Sequence, residues 1–152
     1  MYKMRLAAVE DLEVLLDMSR KFHATTKYVD MGFDEDSTVM ELLHMIDDGL
    51  LVVGHPEEDD ADVVAMLGGV YGHLPFNHAV KVFHEKMFWI DEAHRGHSLA
   101  AMMIKAAEIG AKEDDCQATV MSKLVTSPEH VDKLYRVLGY EERESSYLRR
   151  LT

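Results

Sequence analysis

The stretch FWIDEAHRGHSLAAMMIKAAEIGA, residues 88–111, constrains the fold of this chain more than any other. Phe88, Trp89 and Ile90 are strand formers, and Asp91, Glu92 and Ala93 interrupt the apolar run. From Leu99 the apolar positions Leu99, Met102, Met103, Ala106 and Ile109 fall at helical spacing. A strand, a turn and a helix therefore follow one another directly. The turn Arg95-Gly96-His97-Ser98-Leu99-Ala100 is rich in small residues and opens on an arginine. The first N–H groups of the helix have no partner inside it. Small residues let a ligand approach that backbone, and a flanking arginine adds charge-assisted donors. Such a turn suits a phosphate or pyrophosphate. An ordinary strand-to-helix turn with a solvent-facing arginine is the plain alternative.

Composition narrows the classes. At 152 residues and 47% hydrophobic content the chain is expected to form one domain, residues 1–152, around a sizeable core. The net charge of −12 argues against a nucleic-acid partner, which would need clustered Lys and Arg. An acidic surface concentrates cationic substrates, although it also simply keeps a protein soluble. No apolar run is long enough for a membrane span. The opening MYKMRLAAVEDLE has acidic residues where a signal peptide would be apolar. The single cysteine, Cys116, excludes an intrachain disulfide and reads as a small core residue of a strand. A cytoplasmic protein is the expectation.

Taken in order, Tyr2 to Ala8 reads as a strand, and Leu12, Leu15, Leu16, Ser19 and Phe22 mark one face of a helix. Thr38 and Glu41 match a capping box ahead of a second helix, which Gly49 ends. Leu50 to Val53 is a short strand, and His55 to Asp62 reads as an exposed acidic turn. Val63 to His73 returns, with Gly68-Gly69 suggesting a bulge. Leu74 to Ala79 is a loop, Val80 to Ile90 a long strand, and Asp115 to Met121 a strand beyond the central helix. Ser127 and Pro128 are placed to open a last helix, closed by Gly139. Tyr140 to Leu151 can form one or two closing strands. The order is β-α-α-β-β-β-α-β-α-β.

Arg95 and Ala100 match the ends of the motif Arg/Gln-x-x-Gly-x-Gly/Ala, with Ser98 where glycine is usual. With MRLAAVEDLEVLLDM at the start and VDKLYRVLGYEERESSYLRRL at the end, the chain resembles the GNAT family of N-acetyltransferases over nearly its whole length. The segment from His23 through Phe33 into the following helix is also similar to acetyltransferases of bacteriophages. The resemblance implies an α/β (α+β) three-layer fold with about four helices. Its central sheet would be mixed, mostly antiparallel, with splayed fourth and fifth strands. The implied activity is transfer of an acetyl group from acetyl-CoA to a primary amine of a small molecule or protein. A non-catalytic binding or assembly protein on the same fold is the alternative, and a homodimer stays open.

The resemblance also implies roles. Acetyl transfer needs a neutral amine, a stabilised carbonyl oxygen and a proton for the departing thiolate. Tyr135 is the implied acid and Glu85 the implied base, with His84 as its competitor. Neighbouring strand residues face opposite ways, so only one of that pair would face the site. The main chain of Trp89 and Ile90, together with Arg95, Gly96, His97, Ser98, Leu99 and Ala100, would hold acetyl-CoA. Tyr28, Phe33, Asp34 and Asp36 would border the acceptor. Nine histidines invite a metal, but no His-Glu-x-x-His helix and no zinc-spaced cysteine pair occurs, so none is expected.

Overall fold

A computed structural model describes residues 1–96 and 98–152. His97, one of the expected cofactor contacts, lies outside the described residues. The strands are β1 (Tyr2–Leu6), β2 (Leu50–Pro56), β3 (Ala65–Leu74), β4 (Asn77–Ile90) and β5 (Ala118–Val120). The helices are α1 (Leu12–Thr25), α2 (Glu35–Asp47), α3 (Leu99–Glu113) and α4 (His130–Val137). The strands form one sheet in the order β1-β2-β3-β4-β5, antiparallel except for the parallel pair β4–β5.

The sheet has a core on each face. Leu15 and Met18 of α1 and Leu42 and Met45 of α2 pack with Leu51, Val53, Val63 and Met66. On the other face Leu99, Met103, Ile104, Ala107 and Ala111 of α3 pack with Leu50, Val52, Leu67 and Phe83. Leu134 and Tyr135 of α4, and Leu138 just after it, pack against that second cluster. The buried stripe of α3 runs 99-103-107-111, so Ile109, expected inside, is 61% exposed.

The Gly68-Gly69 bulge places the site. Gly68 pairs with Met87 but Gly69 with Glu85, leaving Lys86 as the extra residue of β4. An extra residue inverts the alternation of a strand. Phe83 before the bulge and Phe88 and Ile90 after it therefore share the α3 face, while Met87 and Trp89 join the α1–α2 face. A Cβ on Gly69 would stand 2.0 Å from the His84 carbonyl oxygen, so only glycine fits there.

Other expectations need correction. Asp34 caps α2 by accepting the N–H groups of Asp36 and Ser37, so the helix opens at Glu35 and Thr38 lies inside it. Ser127 accepts the Leu124 N–H within the preceding turn, and α4 begins only at His130. His55 is buried in β2 rather than exposed in a turn. The β3–β4 loop shrinks to Pro75 and Phe76. Cys116 precedes β5, partly exposed, because Asp115 turns the chain with φ +64°. Residues 141–152 form no strand. Tyr147 and Leu148 are adjacent, so a strand would send them to opposite faces, and charged residues fill half of the segment.

Gly139 does end α4. Its φ is +89°, its N–H reaches the Arg136 carbonyl, and the Tyr140 N–H reaches that of Tyr135. That pair of bonds is a Schellman closure.

Candidate active site

β4 and β5 stay paired only from Val82 to His84 on the β4 side. Beyond that point the Glu85 carboxylate accepts the Ser122 N–H at 3.0 Å. A side chain thus replaces the next strand–strand bond and the two strands separate. The gap opens into a cleft of about 950 Å³. Its floor is Glu85 to Ile90, one wall is α1 and the start of α2, and the other is His94, Arg95, Gly96, Ser98, Ala100 and Ala101 with the segment from Ser122 to Tyr135.

Glu85 is 6% exposed. Burial raises its carboxyl pKa to about 7, against the opposing hydrogen bonds of Ser122 and the charge of Lys86. The Tyr135 hydroxyl donates to the Ser122 carbonyl at 2.9 Å. Burial, then the charge of Glu85, raises the Tyr135 phenol above its ordinary range. One residue of the loop after β5 therefore fixes both groups, each through a different main-chain atom. His84, the competing candidate for the base, does not line the cleft, whereas Glu85 does.

The turn after β4 is held by its arginine. Arg95 lies over the Trp89 ring at 4.5 Å and donates from Nε to the Ile90 carbonyl at 2.8 Å. Trp89 is stacked on Phe22 of α1 and donates to Asp91 at 3.0 Å. Gly96 has φ +82° with open space around it, so backbone geometry rather than crowding calls for glycine. Ser98 precedes α3 without capping it by a side-chain bond, and the first bond of that helix is from Met102 N–H to the Ser98 carbonyl. The N–H groups of Leu99, Ala100 and Ala101 thus have no intrahelical acceptor. Arg95, Gly96, Ser98, Ala100 and Ala101 line the cleft. The Leu99 side chain does not, being fully buried under the sheet. Free amides, small side chains and a nearby guanidinium fit a phosphate-bearing ligand.

On the opposite wall, Tyr28, Phe33 and Asp34 line the cleft and Asp36 does not. His23, not among the expected site residues, lies here with its Nε2 3.1 Å from the Tyr28 carbonyl and its ring 5.4 Å from that of Phe33. Phe22, Glu41, Lys86 and Ser122 are further lining residues that sequence reasoning missed. Ser122 carries no motif; its role depends on where the chain leaves β5. Phe22 and Glu41 were visible only as members of amphipathic or capping patterns.

Residues 15–140 match the model of the acetyltransferase (GNAT) family. No curated protein matches the chain in sequence. Among solved structures, a predicted acetyltransferase from Clostridium acetobutylicum, determined with acetyl-CoA, is 12% identical at a TM-score of 0.74, covering 99% of this chain and 97% of its own. A ribosomal-protein-alanine N-acetyltransferase from Brucella melitensis biovar Abortus is 16% identical at a TM-score of 0.74, covering both chains fully. An aminoglycoside N-acetyltransferase in complex with CoA is 14% identical at a TM-score of 0.75, covering 99% of this chain and 94% of its own. The likeness is one of fold, shared by proteins named for very different acceptors.

Proposed function

The chain belongs to the GNAT acetyltransferase family, and from that premise we propose that it transfers an acetyl group from acetyl-CoA to a primary amine. The observation that carries this reading is the buried Glu85 carboxyl, poised to titrate near pH 7 in a cleft it shares with the Tyr135 hydroxyl. A base works best when its pKa lies near the working pH.

Bound acetyl-CoA supplies the thioester whose acyl carbon the amine attacks. The open amides at the start of α3, with Arg95, hold the phosphates of the donor. The main chain of Trp89 and Ile90 borders the acyl end. Glu85 takes a proton from the acceptor's ammonium, directly or through a water, to give the neutral amine that attacks, and the nitrogen's second proton leaves as the amide forms. Tyr135, kept protonated by its surroundings, gives its proton to the departing thiolate. The separation of β4 from β5 brings these groups onto one surface. Tyr28, Phe33 and Asp34 border the acceptor, Asp34 chiefly by capping α2.

Release of free CoA thiol from acetyl-CoA, followed across a panel of primary amines, tests the reading. Amine-dependent release that falls at least about a hundredfold in Glu85→Gln is expected. Release that no amine stimulates, by a folded protein that binds acetyl-CoA, would count against transfer.

A further inference from the structure

Tyr135 stands on α4, and α4 is lightly held. None of its eight residues is fully buried. Leu134 and Tyr135 lean on the α3 cluster. Apolar contact is non-directional, so it keeps the helix down without fixing where a hydroxyl points.

Directional bonds come from Tyr140, just after the helix. Its hydroxyl donates to the Glu108 carboxylate of α3 at 2.8 Å and lies 2.8 Å from the Thr119 hydroxyl of β5. A phenol has one proton and a carboxylate only accepts, so Thr119 is the donor of the second bond. Burial raises the Tyr140 phenol above its ordinary range, against the Thr119 bond and with the Glu108 carboxylate, so the proton stays in place. All three side chains are half-buried. Hydrogen bonds away from bulk water are electrostatically stronger.

Tyr140 also meets Tyr135 twice. Its N–H donates to the Tyr135 carbonyl at 2.9 Å, and the two rings lie 5.7 Å apart, tilted by 46°. Thr119 stands opposite Phe83 of β4, just ahead of Ser122, whose main chain holds both Glu85 and Tyr135. One phenol thus ties α3 and β5 to the ring of the acid. It does so from behind, since Tyr140, Glu108 and Thr119 do not line the cleft.

We propose that Tyr140 is a positioning residue for the acid: its hydroxyl, held by Glu108 and Thr119, fixes the Tyr135 ring so that the Tyr135 hydroxyl meets the departing thiolate. The proposal rests on the acetyltransferase reading and on the acid's role of Tyr135. Loss of the Tyr140 hydroxyl leaves donor binding alone and slows only the step that uses the proton. A misplacement of about 1 Å costs up to about a hundredfold.

The test is a double-mutant cycle of Tyr140→Phe and Tyr135→Phe, read as amine-stimulated release of CoA thiol beside acetyl-CoA affinity by calorimetry. Tyr140→Phe keeps the ring and deletes both hydroxyl bonds. Alone it should lower kcat by about tenfold or more with acetyl-CoA affinity unchanged. In the Tyr135→Phe background it should change kcat by less than about twofold, because no acid is left to place. Glu108→Leu should behave like Tyr140→Phe, whereas Glu108→Gln, which keeps an acceptor oxygen, should retain most of the kcat. An equal fall in both backgrounds means a general loss of packing and overturns the proposal. So does an unchanged kcat in Tyr140→Phe, or a Glu108→Leu no worse than Glu108→Gln. Wild-type kcat in Tyr135→Phe removes the acid's role and this proposal with it. Failure of the wild type to release thiol to any amine is a failure of the reading beneath, and the motion of the ring then decides this proposal. In spectra of isotope-labelled tyrosine, Tyr140→Phe should speed the flipping of the Tyr135 ring, and an unchanged flip rate overturns the proposal.

Discussion

The Glu85 carboxylate accepts the main-chain N–H of Ser122 at 3.0 Å, at the point where β5 leaves β4. One bond thus opens the cleft and places its buried acid. With a carboxyl raised to about 7, the folded chain keeps a proton that the unfolded chain, near 4.5, has released. The native state therefore binds more protons between those values. The stability from this group is fully present below about pH 4.5 and is lost as the pH rises to about 7, on the order of 3 kcal/mol in all. Glu85→Gln should flatten that part of the stability profile in urea titrations from pH 5 to 8. Activity should run the opposite way, rising through pH 7 as the base ionises. An identical pH–stability slope in the mutant would remove Glu85 as the titrating group.

Tyr135→Phe keeps the ring and deletes the hydroxyl bonded to the Ser122 carbonyl. The expected result is a kcat lower by about 10²–10⁴-fold with acetyl-CoA affinity nearly unchanged. The melting temperature should reflect the loss of only about 1 kcal/mol. Activity within about threefold of wild type, on a chemistry-limited step, would take the acid's role from Tyr135.

Arg95→Ala removes both the cover over Trp89 and the bond to Ile90. Trp89 is the one tryptophan of the chain, so its emission reports this site alone. The mutant should show shifted emission and weaker acetyl-CoA binding, by about tenfold or more. Unchanged affinity with altered emission would mean that Arg95 props the turn without touching the donor.

Gly69→Ala tests the bulge. The added Cβ would sit 2.0 Å from a main-chain oxygen of His84, and backbone cannot yield cheaply. Destabilisation of about 3 kcal/mol or more is expected from denaturant midpoints, as for other overpacked core sites. A stability within about 1 kcal/mol of wild type would show that the bulge can move elsewhere.

Much of this architecture was legible in the residues because it follows from period and punctuation. The Phe88–Ala111 stretch gave strand, turn and helix, Gly68-Gly69 marked the bulge, and Gly139 closed α4. Glu85 and Tyr135 reached the cleft through family likeness, since neither spacing nor propensity singles them out. What stayed hidden depends on contacts distant in sequence. Ser122 acquires its place from a side chain on another strand. Asp34 took the cap from Thr38 because it reaches two free amides one turn earlier. The face of α3 rotated away from Ile109 because the sheet receives an i, i+4 stripe. Glu41 reads as half of a capping box in the sequence, whereas in the fold it lines the cleft.

The most direct test of the central claim is calorimetric titration of acetyl-CoA into the folded wild-type chain. Saturable one-site binding in the micromolar range is predicted, weakened in Arg95→Ala. No heat of binding at about millimolar acetyl-CoA, some 4 kcal/mol of affinity or less, by a protein shown to be folded, would contradict the account.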